Sequence, residues 1–135
     1  MKDTVDIDTR VRYAETDQMG VAYHANYLVW FEVVRVEFLR KKGFNYSKLE
    51  SLGFRIVVTD AHCHYRNSAR YDELVTVRTS LKAVHKRMIT FGYQIFRKDR
   101  GKEELIAEGE TRHLNLDSKG VPKSLPKEFF DLLVQ

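Results

Sequence analysis

An aspartate, a glycine and a histidine lie within eight residues near the start of the chain. They are Asp17, Gly20 and His24, in the stretch TDQMGVAYHANY. A carboxylate can attack a carbonyl carbon or deprotonate water, and an imidazole can orient a substrate or carry a proton. A glycine lets backbone approach a ligand closely. The set suits acyl transfer or hydrolysis, although a turn-forming aspartate and a solvated histidine would give the same spacing.

The residues after this stretch predict a long helix over 26–42, seventeen residues without glycine or proline, which exceeds a typical strand. Its apolar stripe has helical spacing and consists of Tyr27, Trp30, Phe31, Val34 and Phe38. Asn26 is the predicted N-cap, and Gly43 lies where a residue following the C-cap belongs. The first N–H groups of such a helix carry partial positive charge, so they would stabilise an oxyanion formed beside them.

Four further apolar residues extend the hydrophobic surface around this helix. They are Leu28, Val29, Val33 and Val36. A helix that is apolar on most sides is expected to be buried on most sides, so a sheet should wrap it. One curved sheet cannot enclose a helix completely, and its edge strands stay open, so the sequence predicts a homodimer.

The rest of the chain is predicted to be mostly β. Alternating β-branched and aromatic residues predict strands over 5–13, 55–66, 73–84, 87–98 and 104–117. In the first of them Val5, Ile7, Val11 and Tyr13 should share one face. The last four strands should form an antiparallel meander, with short helices at 46–51 and at PKEFFDLLVQ. The predicted class is therefore α+β, with a long central helix wrapped by a five-stranded antiparallel sheet.

The composition excludes several classes of protein. The chain has 135 residues, 43% hydrophobic and 31% charged, which suggests one domain over 1–135. It contains no 18-residue apolar stretch and no signal-peptide h-region, so no transmembrane segment is expected. The lone Cys63 rules out a disulfide within the chain and favours the cytoplasm. The net charge of +4 would suit a polyanionic partner, but no nucleic-acid-binding motif accompanies it, so no nucleic acid is expected.

The segment RYAETDQMGVAYHANYLVWFEVVRVEFLRKKG resembles the signature of the 4-hydroxybenzoyl-CoA thioesterase family of hotdog-fold proteins. The matching positions are Tyr13, Asp17, Gly20, His24, Tyr27, Trp30, Phe31, Glu32 and Arg35. The resemblance covers most of the chain and is greatest to bacterial acyl-CoA thioesterases often encoded beside the Tol-Pal envelope system. It implies a hotdog fold, with dimers usually paired into tetramers and active sites at the subunit interface.

The resemblance also implies roles for individual residues. Asp17 would be the catalytic carboxylate, acting as nucleophile or as general base, and the residues leave both open. His24 and Tyr13 would line the site and assist, while a backbone N–H near His24 polarises the thioester carbonyl. Gly20 and Tyr23 would contact the substrate, an acyl-CoA or an acyl-carrier-protein thioester. No metal or redox cofactor is expected.

Two further groups of residues are candidates for binding coenzyme A or completing the site. Basic side chains that could meet its phosphates are Lys86, Arg87, Arg112 and Lys119, although solvated surface lysines and arginines would look the same. The stretch SARYDE matches the family's loop before the third strand, and Asn67 and Ser68 could reach the active site of a partner subunit.

Two other pairs of residues could have structural or metal-binding roles. His62 and His64 share one strand face, as a metal site would require, but the sequence identifies no further ligands, so no metal site is predicted. Glu32 and Arg35 lie three residues apart on the buried helix and could pair there, because buried charges are costly when unpaired. They would then have a structural role or support the Asp17 loop from behind.

Three rival functions remain open at the level of sequence. A hotdog hydratase or dehydratase also uses an acid and a histidine, but its motifs place them differently. A non-catalytic module would bind acyl-CoA or acyl carrier protein without turnover. A nucleic-acid binder rests on the positive charge alone. The sequence leaves the acyl group and the choice between dimer and tetramer open.

Overall fold

The computed structural model describes residues 3–135. Strand β1 (Thr4–Arg10) and a 3-10 turn (Tyr13–Glu15) precede the long helix α1 (Ala25–Lys41) and the short helix α2 (Tyr46–Ser51). Strands β2 (Arg55–Tyr65), β3 (Leu74–Val84), β4 (Met88–Asp99) and β5 (Lys102–Leu116) follow, and helix α3 (Lys127–Val134) ends the chain.

The five strands form one antiparallel sheet in the order β1-β3-β4-β5-β2. The predicted class, α+β with a long helix against a five-stranded antiparallel sheet, is confirmed. The predicted meander is wrong for β2, which pairs with β5 instead of β3. Strand β1 occupies the free edge of β3, so the chain must carry β2 to the opposite edge of the sheet.

Helix α1 packs its predicted apolar stripe into the sheet. Its members Tyr27, Trp30, Phe31, Val34 and Phe38 are all 2% exposed or less. Phe31 stacks on Tyr93 of β4 with ring centroids 4.2 Å apart, and Phe38 meets Phe91 edge-on at 5.6 Å. Aromatic rings bury the largest areas per residue, so these contacts fix the position of the helix on the sheet.

The opposite side of α1 is not covered. The four apolar residues there, Leu28, Val29, Val33 and Val36, are between 38% and 50% exposed. The prediction that the helix is buried on most sides is therefore wrong for a single chain, because the sheet curves around one side only. These four residues are called the open stripe below.

The C-terminal end of α1 agrees with the prediction, and the N-terminal end does not. The helix begins at Ala25, and no side chain caps it. The predicted N-cap, Asn26, lies inside the first turn instead, where its side-chain amide donates to Glu15 O at 2.8 Å. The predicted end is confirmed, because Gly43 has φ +78° and its N–H donates to Arg40 O at 3.1 Å.

Strand β1 is shorter than the sequence predicts. It ends at Arg10, and the chain turns at Tyr13 into a 3-10 turn. Val5 and Val11 are buried as predicted, but Tyr13 is 78% exposed and does not share their environment.

No helix among residues 3–135 is long and apolar enough to cross a membrane.

Gly109 of β5 lies where two neighbours come very close. A Cβ at this position would be 2.1 Å from His62 O of β2 and 2.9 Å from Phe31 Cε2 of α1. Neither neighbour can move away easily, since His62 O belongs to strand backbone and the Phe31 ring is fully buried. The absence of a side chain at Gly109 therefore allows β2 and α1 to approach β5 together.

We expect Gly109→Ala to lower the free energy of unfolding by about 2 kcal/mol or more, because the added methyl overpacks this contact. Gly92→Ala is the matched control, since its Cβ would meet only the flexible side chain of Lys82. We expect the control to stay within about 0.5 kcal/mol of wild type in urea titrations. Equal losses in the two variants would contradict this account of Gly109.

Candidate active site

Asp17 lies in a small hairpin that immediately precedes α1. Thr16 and Ala22 form an isolated antiparallel bridge, and Asp17 N donates to Val21 O at 2.9 Å. Gly20 closes the turn with φ +81°, a conformation that L side chains rarely adopt, and its N–H donates to Asp17 O at 3.0 Å. The hairpin thus fixes the backbone on both sides of the predicted catalytic acid.

The carboxylate of Asp17 is half-buried and only partly engaged. Its Oδ1 accepts a hydrogen bond from Met19 N at 2.9 Å, which orients the group. Its Oδ2 accepts no hydrogen bond from residues 3–135. One oxygen therefore holds the side chain in place, and the other is available to a water molecule or a carbonyl carbon.

The start of α1 offers backbone donors beside this hairpin. Asn26 N donates to Tyr23 O at 2.9 Å and Tyr27 N to His24 O at 3.3 Å. In the described part of the chain, the N–H groups of His24 and Ala25 have no acceptor. Such free groups at a helix start can stabilise a developing oxyanion.

The side chains of Tyr23 and His24 stand exposed at the same helix start. Their rings lie 4.4 Å apart, centroid to centroid, at an interplanar angle of 48°. Tyr23 is 47% exposed. Both predicted residues are thus accessible to a ligand that reaches the start of α1.

Tyr65 of β2 holds the helix start, a role that the sequence reasoning missed. Its hydroxyl donates to His24 O at 2.9 Å, and its ring meets Tyr27 edge-on at 5.0 Å. Burial, and to a smaller extent the neighbouring Cys63, raises the pKa of Tyr65 to about 12. The hydroxyl therefore stays protonated near neutral pH. No sequence pattern links a residue on β2 to the helix start, because only the fold brings them together.

Glu15 is a second residue that the sequence reasoning missed. Its carboxylate is 7% exposed and accepts three hydrogen bonds, from Arg12 N at 2.8 Å, Arg12 Nη2 at 2.9 Å and Trp30 Nε1 at 2.9 Å. Burial raises the pKa of Glu15, but these hydrogen bonds outweigh burial, and the net shift is downward. The opposite charges of Arg12 and Glu15, three residues apart, were the available signal.

The backbone of Glu15 ties the same region together. Its carbonyl oxygen accepts from Tyr23 N and from the side-chain amide of Asn26, both at 2.8 Å. One residue thus joins the turn before Asp17 to the start of α1, and the buried Trp30 anchors that residue to the helix.

The loop 66–73 packs against the Asp17 hairpin. Ala22 N donates to Ala69 O at 2.8 Å, and Ala69 N donates to the Tyr27 hydroxyl at 3.1 Å. The predicted residues Asn67 and Ser68 immediately precede Ala69 and are exposed. Their reach into a partner's site stays a prediction.

Tyr13 lies at the surface. Its ring packs edge-on against Tyr71 at 5.7 Å, and its carbonyl accepts from the Thr16 hydroxyl at 2.7 Å. Its predicted catalytic role stays a prediction.

The basic residues Lys86 and Arg87 lie far from Asp17 within one chain. They follow β3, whereas the Asp17 hairpin bridges to Arg70, just before β3 begins. The eleven residues of β3 span about 36 Å at 3.3 Å per residue. The structure does not bring these residues to the hairpin of their own subunit, and their contact with coenzyme A phosphates stays a prediction.

His62 and His64 are exposed on β2, opposite Glu110 and Glu108 of β5. No group of three or more histidine, cysteine, aspartate or glutamate side chains is placed to hold a metal ion within residues 3–135.

The predicted pairing of Glu32 with Arg35 is wrong. The Arg35 side chain reaches β4 of the sheet, where its Nη1 donates to the Tyr93 hydroxyl at 2.9 Å. Glu32 is exposed and makes no ion pair with any residue in the range 3–135. The i, i+3 spacing permitted the pair, but the guanidinium of Arg35 is engaged by the Tyr93 hydroxyl of the sheet instead.

Residues 11–133 match a family described as the thioesterase-like superfamily. The chain belongs to this superfamily. The family resemblance seen in the signature and the predicted hotdog fold are thereby confirmed.

Relatives of this thioesterase-like chain are known in sequence and in structure. The acyl-CoA thioester hydrolase YbgC of Escherichia coli O157:H7 is 30% identical over 119 residues, which cover 87% of each chain. A DHNA-CoA thioesterase from Staphylococcus aureus is 36% identical, with a TM-score of 0.86 over 95% of this chain and 85% of that one. A 4-hydroxybenzoyl CoA thioesterase mutant, 14% identical, shares the fold alone, with a TM-score of 0.87 over 96% of this chain and 98% of that one.

We expect Glu15→Gln to lower the free energy of unfolding at pH 7 by about 2 kcal/mol, because it removes a buried charged acceptor from three donors. The folded pKa of Glu15 lies below its unfolded value, so its contribution is full above about pH 4.5 and is lost as the pH falls through the folded pKa. Wild type should therefore lose more stability than the variant between about pH 5 and pH 3.

Urea titrations at several pH values measure both effects, and Glu50→Gln is the control, because Glu50 is exposed and has no ion pair within residues 3–135. The role of Glu15 would be refuted by parallel pH profiles for wild type and Glu15→Gln.

Proposed function

We propose that the protein hydrolyses acyl-CoA thioesters to a free acid and coenzyme A, in the cytoplasm and within one domain spanning 1–135. The observation that carries the proposal concerns residues 3–135: within them the Oδ2 of Asp17 accepts no hydrogen bond, and the N–H groups of His24 and Ala25 at the nearby helix start have no acceptor. The names of the Escherichia coli and Staphylococcus aureus relatives support the substrate class.

The chemistry assigns a part to each of these groups. The N–H groups of His24 and Ala25 would donate hydrogen bonds to the thioester carbonyl oxygen and stabilise the negative charge that develops on it. Asp17 would either remove a proton from the attacking water or attack the carbonyl carbon to form an anhydride that water then opens. In both routes the C–S bond breaks, and the sulfur leaves as coenzyme A and takes up a proton.

The remaining site residues would bind and assist. The exposed ring of His24 can orient the substrate or carry a proton, and Tyr13 would assist at the rim. Gly20 and Tyr23 would contact the thioester end of the substrate. No step in either route requires a metal or redox cofactor.

A second copy of the chain would cover the open stripe of α1. An exposed row of four apolar side chains on a helix is typical of a protein interface. In a homodimer, Asn67 and Ser68 of one subunit would complete the site of the other, and Lys86 and Arg87 would meet coenzyme A phosphates. Two such dimers would form the tetramer.

We expect Asp17→Asn to slow thiol release by at least about 100-fold, because the amide keeps the shape of the side chain but lacks its charge and basicity. The assay measures free thiol from short, long and aromatic acyl-CoA substrates and from an acyl-carrier-protein thioester. Asp72→Asn is the control, since Asp72 is an exposed carboxylate in the neighbouring loop 66–73.

Wild-type turnover with a folded, inactive Asp17→Asn supports the assignment. If wild type releases no thiol from any substrate but binds acyl-CoA tightly, the protein is a binding module. If it instead forms an enoyl thioester and water from a β-hydroxyacyl thioester, it is a hydratase or dehydratase.

We expect Val33→Glu to weaken self-association by at least about tenfold, because it places a charge in the centre of the open stripe. Val121→Glu is the control, since Val121 is similarly exposed, at 47%, but lies in a loop away from α1. Sedimentation velocity over a concentration series measures the change. Unaltered association of Val33→Glu would mean that another surface joins the subunits.

A further inference from the structure

Tyr65 of β2 binds the peptide group that carries one of the two backbone donors at the start of α1. Its hydroxyl lies 2.9 Å from His24 O. The carbonyl of His24 and the N–H group of Ala25 belong to the same planar peptide group. Within residues 3–135 the N–H group of Ala25 has no acceptor. The Tyr65 hydroxyl and the free N–H group therefore lie at opposite ends of one peptide group.

The chemistry of its two ends fixes the direction of this hydrogen bond. A carbonyl oxygen can only accept, so the hydroxyl of Tyr65 must donate. Burial is the main reason that the pKa of Tyr65 is raised to about 12, and the hydroxyl keeps its hydrogen throughout the neutral range. Tyr65 is therefore a donor to His24 O at every pH near neutrality.

Two neighbouring rings hold the ring of Tyr65 in place. It meets the His24 ring at 6.1 Å and 81°, and the Tyr27 ring at 5.0 Å and 89°. Edge-on contacts of this kind are favourable between aromatic rings. Tyr27 is 2% exposed, and its hydroxyl accepts from Ala69 N at 3.1 Å, so the ring against which Tyr65 packs is itself fixed. Packing therefore directs the Tyr65 hydroxyl at His24 O.

A hydrogen bond to the oxygen of a peptide group strengthens the donor at the other end of that group. Electron density moves toward the oxygen, the N–H group becomes more positive, and successive hydrogen bonds polarise one another. Tyr27 N also donates to His24 O, at the longer distance of 3.3 Å. Tyr65 thus adds a short hydrogen bond to a longer one, and both strengthen Ala25 N–H as a donor.

The other free N–H group, that of His24, is supported by backbone. It belongs to the peptide group whose oxygen is Tyr23 O, and this oxygen accepts from Asn26 N at 2.9 Å. In the described part of the chain no side chain donates to Tyr23 O. Tyr65 is therefore the side chain through which one of the two donors can be weakened without any change to the backbone.

We propose that Tyr65 is a positioning residue for thioester hydrolysis, which holds and polarises the His24–Ala25 peptide group so that Ala25 N–H stabilises the oxyanion formed on the substrate. This inference rests on the proposed function. The carbonyl oxygen of the substrate carries more negative charge in the transition state than in the bound thioester. A more positive N–H group therefore stabilises the transition state more than the bound substrate, so Tyr65 should act on kcat more than on KM.

Tyr65→Phe removes the hydroxyl and keeps the ring. We expect kcat with the best acyl-CoA substrate to fall about tenfold, less than the roughly 10²–10³-fold cost of removing a direct oxyanion donor. KM should stay within about twofold of wild type, because ground-state binding is little changed. Tyr71→Phe is the matched control, since Tyr71 is 57% exposed in the loop 66–73 and its hydroxyl makes no hydrogen bond within residues 3–135. Urea titrations of both variants show whether the packing is intact.

The amide nitrogen of Ala25 reports the polarisation without substrate or turnover. A hydrogen bond to the preceding carbonyl moves an amide nitrogen resonance downfield, so we expect the Ala25 resonance to move upfield in Tyr65→Phe and to stay in place in Tyr71→Phe. A tyrosine fluorinated beside its hydroxyl is a stronger donor. Placed at position 65, it should move the resonance downfield of wild type and restore kcat to at least the wild-type value. Ring packing alone would give no such graded response.

The carbonyl of a bound substrate tests the last link. Asp17→Asn holds an acyl-CoA whose thioester carbonyl carries a carbon-13 label, and its infrared stretching frequency falls as the carbonyl is polarised. We expect this frequency to rise when Tyr65→Phe is added to Asp17→Asn. Adding Tyr71→Phe instead should leave the frequency unchanged.

The proposal is overturned if Tyr65→Phe keeps the wild-type kcat, if its effect appears in KM alone, or if the Ala25 resonance does not move. Any of these results with an active wild type leaves thioester hydrolysis standing and removes the role of Tyr65. If wild type hydrolyses no thioester, the catalytic role fails with the proposed function. The Ala25 resonance then still decides whether Tyr65 polarises the peptide group, so the two failures are told apart.

Discussion

The position of the candidate site depends on one buried carboxylate. Glu15 can be almost fully buried with its charge only because Arg12 and the indole of Trp30 supply its donors. Trp30 is buried in the core. Its hydrogen bond to Glu15 therefore restrains the turn before Asp17 relative to the packed helix. A flexible loop would leave the candidate catalytic acid and the backbone donors free to separate.

Strands β2 and β5, which are distant from Asp17 in sequence, also support the start of α1. Tyr65 on β2 holds the carbonyl of His24, and the loop after β2 bonds to Ala22 and Tyr27. Strand β2 can do so because it lies at the edge of the sheet beside β5, where Gly109 permits its close approach. The fold therefore supports the start of α1 from both the hairpin side and the sheet side.

The two sides of α1 have different chemical characters. One side is closed by aromatic stacking against β4, and on that side hydrogen bonds link Arg35, Tyr93, Thr111 and His113. The other carries the open stripe, which one sheet cannot cover.

The sequence by itself determined most of the secondary structure and the segment proposed as the site. Local periodicity predicted α1 and most of the strands, and the residues Asp17, Gly20 and His24, together with the family resemblance, pointed to the loop before α1. Only the tertiary structure decided the strand order, the exposure of Tyr13, the direction of Arg35 and the contacts of Glu15 and Tyr65. Each of these depends on which distant backbone or side chain lies opposite, and periodicity carries no such information. Helical spacing allowed Glu32 to pair with Arg35, but the buried hydroxyl of Tyr93, 58 residues further along the chain, took its place.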